Sequence, residues 1–226
     1  MTHSLQKNLH EIDSYGRDTL YSMVKDEIES ELIKESLIEE AFYSSVIEGA
    51  FSTLKKAKAL AEKKETPQDK SEQMIINNFY AMRFILENRH RDFSNELVLE
   101  LHKIVSDKTL DDQNYAGKYR DGMVYVTNAQ GKTIYTPPSA NDVVPLMQDL
   151  IAWVNIAEAQ QFIHPIIKAS VLHFYFVYLH PFFDGNGRTA RALFYFFLIK
   201  NNYDFFRYFS ISSIISVNRA KYYKSI

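Results

Sequence analysis

The chain has 226 residues, 46% hydrophobic and 14% aromatic, enough apolar material for one sizeable core. Its formal charge of −2 gives no electrostatic footprint for nucleic acid. The lack of cysteine excludes disulfide scaffolds and thiolate metal sites, and it fits a reducing, cytoplasmic setting.

The amino terminus, "MTHSLQKNLHEIDSYG", has no apolar stretch of the signal-peptide kind. Residues 18–51 carry helical periodicity, as one long or two shorter helices, with Gly49 as the stop. Another helix is expected from Ser52. The lysines of "LKKAKALAEKK" (54–64) alternate with Ala and Leu at helical spacing, which marks a solvated helix face or linker. "KKETPQDK" (63–70) reads as a charged loop. In 71–89, Ile75, Phe79, Met82 and Ile85 fall on one helical face, and 93–107 opens at Ser94, a good cap. The one β signal is 123–138, two short arms around "NAQG" closed by prolines, which predicts a hairpin. Helices resume at 139–154, 164–179, 188–200 and 218–226, with Pro165 suited to a first turn. The longest apolar run, 192–199, is too short to span a bilayer, so no membrane partner is expected. The fold class is mainly α with one exposed hairpin. The strongly apolar 164–179 and 188–200 are expected to be buried on most sides, as the central helices. His173, among aromatics in mid-helix, reads as a satisfied core residue.

The connection between those two helices, "HPFFDGNGRTAR" (180–191), concentrates the chemistry. Pro181 biases His180 away from helical geometry and ends the preceding helix near Leu179. Gly185 and Gly187 let a ligand approach the main chain. The next helix then begins near Asn186 or Gly187, with unpaired N–H groups that favour an anion. Arg188 and Arg191 share a face of its first turn, where each opposes the helix dipole by roughly 0.3–1 kcal/mol. An anion beside them reverses that sign, and a polyphosphate fits. Asp184 supplies a hard oxygen of the sort Mg²⁺ takes when it bridges phosphates. His180 is the general base of the loop. Two superficial matches fail. "GKT" (131–133) has Val126 where a P-loop needs glycine, and "DGNG" read as a calcium loop puts Arg188 and Tyr195 at ligand positions.

Residues 180–191 resemble the Fic-family signature HPFx(D/E)GNGRxxR at every specified position. The likeness extends through "AGKYRDG" (116–122), the hairpin, 137–153 and the 164–176 helix, and so covers roughly 40–226. It implies a Fic-type helical bundle. Residues 41–226 would form the Fic domain, running on past Ile226, and 1–40 a helical extension. It further implies a protein adenylyltransferase, which moves AMP from ATP onto a Ser, Thr or Tyr hydroxyl of a protein and releases pyrophosphate. On that carry-over His180 deprotonates the hydroxyl and Asp184 holds Mg²⁺. Gly185, Asn186, Gly187 and Arg188 form the anion hole, and Arg188 and Arg191 meet the outer phosphates. Val124, Tyr125, Val126 and Thr127 match the flap that clamps a target by strand addition, and Tyr222 and Tyr223 match aromatics near the adenine. Glycine at 187 favours AMP transfer over the phosphate transfer of a lysine-bearing branch, while a CDP-choline donor stays open.

"SSVIEGA" (44–50) resembles the family's inhibitory motif (S/T)xxxE(G/N), read as Ser44 and Glu48, one helical turn apart. In the family this glutamate pairs with the second signature arginine, here Arg191, in the place of a γ-phosphate. The resemblance therefore implies autoinhibition, in a subclass where homodimers are common. Two other readings stand beside it: a de-AMPylating hydrolase on the same site, and a non-catalytic nucleotide-binding or toxin-type interaction module.

Overall fold

The computed structural model describes residues 2–225 except 24, 25, 129 and 158, without the side chains of 17–27. Val24 and Lys25 of the first predicted helical stretch, Ala129 of the hairpin turn and Ile226 of the last helix thus lie outside the described residues.

The expected helical order holds from α2 on, but the first helix begins at His3 and not at the predicted residue 18, since its mostly polar early turns carry only a sparse apolar stripe to mark them. Helix α1 spans His3–Met23, α2 Asp26–Ile47, α3 Leu54–Lys63, α4 Lys70–Glu87 and α5 Asn95–Ser106. After the hairpin β1 (Val126–Thr127) and β2 (Thr133–Tyr135) come α6 (Ala140–Val154), α7 (Pro165–Leu179), α8 (Asn186–Lys200), α9 (Ile211–Val217) and α10 (Arg219–Tyr223). Local chemistry explains the boundaries. Thr53, Asp69 and Ser94 cap α3, α4 and α5 by accepting a bond from the N–H three residues on. Gly49, at φ +92°, follows the end of α2. The lysine-rich stretch is α3, whose Ala57 and Leu60 are buried while Lys56 and Lys58 pair with Glu65 and Glu35. The face Ile75, Phe79, Met82 and Ile85 is buried as predicted.

Helix α8 is the centre. Twelve of its fifteen residues are buried, and α2, α4, α5 and α7 pack around it. The expectation for α7 needs correction. Ala169, Leu172, Phe176 and Leu179 are buried, but Val171, Phe174 and Tyr178 stand about 40% exposed. An apolar sequence without an amphipathic stripe does not reveal which side faces solvent. The hairpin lies on this exposed side, where the Tyr135 hydroxyl donates to the Tyr178 carbonyl at 2.8 Å. Helix α9 was not anticipated, and α10 stops at Tyr223 rather than continuing as a regular helix.

Helix α2 is tied to the rest by a buried acid. Glu40, 2% exposed, accepts from the Tyr195 hydroxyl at 2.8 Å, from Ser210 Oγ at 3.0 Å and from the Ser212 N–H at 2.9 Å, and also from Ser212 Oγ. Its carboxylate thus fastens α2 to α8 and to the first turn of α9. Among the described residues no helix is long and apolar enough to cross a membrane.

Candidate active site

His180 closes α7. Its φ of +50° is left-handed, a conformation that costs a non-glycine residue on the order of 1 kcal/mol or more, and it swings the chain away from the helix axis. The imidazole Nδ1 lies 3.2 Å from the Val177 carbonyl. A carbonyl only accepts, so Nδ1 carries the proton and Nε2 is the basic nitrogen. Burial pushes the His180 pKa below the ordinary 6.5, with Arg120 acting the same way, while the Val177 carbonyl, Glu48 and Asp184 oppose the shift. The ring is therefore neutral near pH 7, as a general base must be.

The loop after His180 is held by its own side chains. Asn186 donates to the Phe182 carbonyl at 2.8 Å and accepts from the Phe182 N–H at 2.9 Å. Its amide therefore braces the loop, while its backbone N–H stands in the first turn of α8. Gly185 takes φ +80° as N-cap, and no side chain caps α8. The first N–H groups of α8 thus point out of the helix unpartnered by any cap, the arrangement that attracts phosphate. The Asp184 carboxylate is half exposed beside them, 3.8 Å from Arg188 Nη2.

The two arginines behave differently. Arg188, 2% exposed, donates to the Val105 carbonyl at 3.0 Å, while its buried Nε has no hydrogen-bond partner among the described residues. Arg191 is 4% exposed and faces α2. Its Nε donates to Ser44 Oγ at 2.8 Å, and Nη2 donates to the Ser44 carbonyl at 2.9 Å and to Glu48 Oε1 at 2.8 Å. Burial penalises the Arg191 charge, but the Glu48 carboxylate outweighs it and holds the guanidinium pKa above its usual value. Glu48 also sits so close to Gly187 that a Cβ built there would collide with Oε1. The Glu48 carboxylate, one residue past the end of α2, thus lies on Arg191 at the start of α8, which accounts for one of the two arginines in that first turn.

Tyr222 and Tyr223 diverge. Tyr222 meets His173 Nε2 at 2.9 Å, and both border a cavity of about 280 Å³ with Glu40, Arg191 and Tyr195. Burial lowers His173 to about 4, so this histidine is neutral and satisfied, as expected. Tyr223 is half exposed, and its hydroxyl donates at 3.3 Å to the Ile47 carbonyl, which Arg219 also contacts. Of the flap residues, Val126 and Thr127 form β1, paired with Tyr135 and Thr133, whereas Val124 and Tyr125 precede the ladder. The other edge of β1 has no strand beside it in this two-stranded sheet.

Two residues that the sequence reading passed over complete the site. His102, 1% exposed on α5, accepts from the Gly117 N–H through Nδ1 at 3.0 Å, which makes Nε2–H the donor to the Asp184 carbonyl at 3.0 Å. Its ring stacks on Phe182 with centroids 3.5 Å apart. Burial pushes its pKa down to about 4. Arg120, 2% exposed, donates Nε to the His180 carbonyl at 2.8 Å and its backbone N–H to the Pro181 carbonyl at 2.9 Å. A histidine on an apolar helix face gives no sign of a partner 82 residues away.

Fold and site together define a helical domain with a partly buried histidine beside an uncapped helix start, where the Glu48 carboxylate meets Arg191. Residues 92–198 match the model of the Fic/DOC family. By that match, residues 92–198 are a Fic/DOC-family region of this chain. Its relatives include the "Protein adenylyltransferase Fic" of Nematostella vectensis, 29% identical over 195 residues, with 83% of this chain and 43% of the relative covered. The protein of the same name from Drosophila melanogaster is 31% identical over 175 residues, covering 75% of this chain and 34% of the relative. The chain thus spans between a third and a little over two fifths of these relatives' length. Among solved structures, a Fic family protein from Desulfovibrio desulfuricans superposes over 99% of this chain and 66% of its own, with a TM-score of 0.82 at 22% identity. Fic-1 from C. elegans covers 88% of this chain and 58% of its own, with a TM-score of 0.71 at 24% identity.

Proposed function

We propose that this protein is an autoinhibited adenylyltransferase, moving AMP from ATP onto a Ser, Thr or Tyr hydroxyl of a target protein. One observation carries the reading: Glu48 lies on Arg191 and Gly187 at the uncapped start of α8, in the same loop as a histidine whose Nε2 is basic. The relatives' printed name supports the donor and the transfer. The residues fit a metal–nucleotide: the unpartnered Arg188 Nε, the cap-free N–H groups and the half-exposed Asp184 carboxylate are the donor set that a phosphate chain with a hard cation needs. Mg²⁺ held by Asp184 would offset phosphate charge.

In the reaction, His180 Nε2 takes the hydroxyl proton as the oxygen bonds to the α-phosphorus. The bond from that phosphorus to the bridging oxygen breaks, and pyrophosphate leaves. The N–H groups of 186–188 stabilise the charge that develops, and that of Gly185, which donates to Asp184 Oδ1 here, joins them once the carboxylate turns to a cation. Arg191 receives the outer phosphate once Glu48 withdraws, since a carboxylate and a phosphate compete for one guanidinium. The free edge of β1 would take the target segment as an added strand. Tyr222 and Tyr223 would border the base.

The test incubates wild type, Glu48→Gly and Glu48→Gly/His180→Ala with Mg²⁺ and ATP labelled at the α-phosphate, alone and with a cell lysate. Protein-bound label in Glu48→Gly only is expected. If no variant labels any protein, the transferase reading falls. AMP removal from a modified protein, lost in Glu48→Gly, would put the hydrolase in its place.

A further inference from the structure

We propose that Arg120 is a positioning residue that sets His180 in register with the hairpin, so that base and target segment move as one unit. This rests on the adenylyl-transfer reading and deepens it. Arg120 lies between α5 and the hairpin, and among the described residues it has no carboxylate partner. Its guanidinium donates only to main-chain carbonyls: Nε to His180 at 2.8 Å, Nη1 to Gly122 at 3.0 Å, and Nη2 to Pro138 at 2.6 Å and Leu179 at 3.4 Å.

Those four acceptors fall into two pairs. Leu179 and His180 are the last carbonyls of the α7 end, where a helix presents partial negative charge. Gly122 and Pro138 are the two feet of the hairpin, immediately before and after the 123–137 excursion. One planar fork therefore joins both feet of the flap to the catalytic turn. The joint matters because His180 sits in left-handed backbone geometry that it would not hold alone. The Arg120 N–H bond to Pro181 fixes the following peptide as well. Lysine could reach one of these carbonyls but not all four at fixed angles. A buried arginine that meets helix-end carbonyls instead of an acid is costly as a mere staple, since burial lowers its pKa.

The experiment uses the Glu48→Gly protein, with and without Arg120→Gln or Arg120→Lys. Folding is followed by thermal unfolding, ATP binding by calorimetry, AMP transfer by self-labelling, and the His180 ring by NMR titration. The charged and titratable groups facing that ring are Arg120, Asp184 from the following loop and, in wild type only, Glu48 from the turn after α2. Expected for Arg120→Gln is a roughly hundredfold lower labelling rate, the size of loss that a misplacement of about 1 Å can cause. ATP affinity stays within about twofold. The His180 titration and the acid limb of the rate profile both move to higher pH, because a cation that disfavours the imidazolium has gone. Arg120→Lys keeps a charge nearby but not the fork, so its rate falls as its titration stays nearer the parent's. Overturning results are a rate loss matched by lost folded protein, or an unmoved His180 titration with the rate intact. If the Glu48→Gly parent labels nothing, the transfer reading fails by itself, and the NMR arm still decides whether Arg120 positions His180.

Discussion

The Glu48 carboxylate lies 2.8 Å from the Arg191 guanidinium and against the backbone of Gly187, so that an acid just past the end of α2 stands over the first turn of α8. The pair is partly buried: the arginine side chain is 4% exposed and the glutamate 32%. Such a contact is replaceable by a stronger anion in a way that a fully enclosed pair is not.

Replacing that acid separates stability from activity. Glu48→Gly leaves the buried Arg191 charge without its carboxylate, so the nucleotide-free protein should unfold at a lower temperature. Saturating Mg–ATP should return the midpoint toward the wild-type value by linkage. Self-labelling should rise tenfold or more, which is about 1.4 kcal/mol of relieved competition. Calorimetric melting with and without ATP checks the first part and gel autoradiography the second.

Gly187→Ala tests the contact from the other side. No positive φ obliges glycine here, and alanine favours helix by roughly 1 kcal/mol. The added methyl nonetheless collides with Glu48 Oε1. We expect a net loss of about 1–2 kcal/mol in wild type, typical of overpacking, which disappears in the Glu48→Gly background. A urea double-mutant cycle reads the coupling directly, and additive effects would remove Glu48 from this position.

Glu40→Ala should loosen the Glu48–Arg191 contact without touching it. The substitution strips an acceptor from Tyr195, Ser210 and Ser212, leaving buried donors unsatisfied. A stability loss of about 3 kcal/mol is expected. Hydrogen exchange should quicken first in α9, and self-labelling should rise in part, because Glu40 and Ser44 stand one turn apart on α2, which leads directly into Glu48.

Stability should fall in mild acid. His102 is held near 4 by burial, whereas the unfolded histidine titrates near 6.5. Between those values the unfolded chain binds the extra proton. The stabilisation is complete above pH 6.5 and drains away as pH drops toward 4, by on the order of 3 kcal/mol. His173 acts in the same direction. The urea midpoint should decline across this window, and His102→Phe should flatten the decline while lowering the plateau.

Legibility varied with the range of the forces involved. The cap at Ser94, the first-turn Pro165, the buried stripe of α4 and the hairpin turn were all readable, because each depends on neighbours within a few positions. The turn at Asn128 shows it: its side chain accepts from the N–H groups of Gln130 and Lys132. Arg120 and His102 were not readable as site residues. Each looks ordinary in its own segment, and each finds its partner only when chain far away is folded against it. Helix α9 was missed for the same reason, since its first turn rests on Glu40 of α2, 172 residues earlier at Ser212.

By itself the sequence determined the helical class, the breaks between elements and the clustering of His180, Asp184, Arg188 and Arg191, all consequences of local backbone preference and spacing. Tertiary structure alone decided which way the charges face. Packing of α2 on α8 gives Arg191 to Glu48 and leaves Arg188 Nε without a hydrogen-bond partner among the described residues. The same packing turns one face of α7 to solvent and threads Arg120 beneath the hairpin. Burial and hydrogen-bond partners at long sequence separation set these, and no local pattern encodes them.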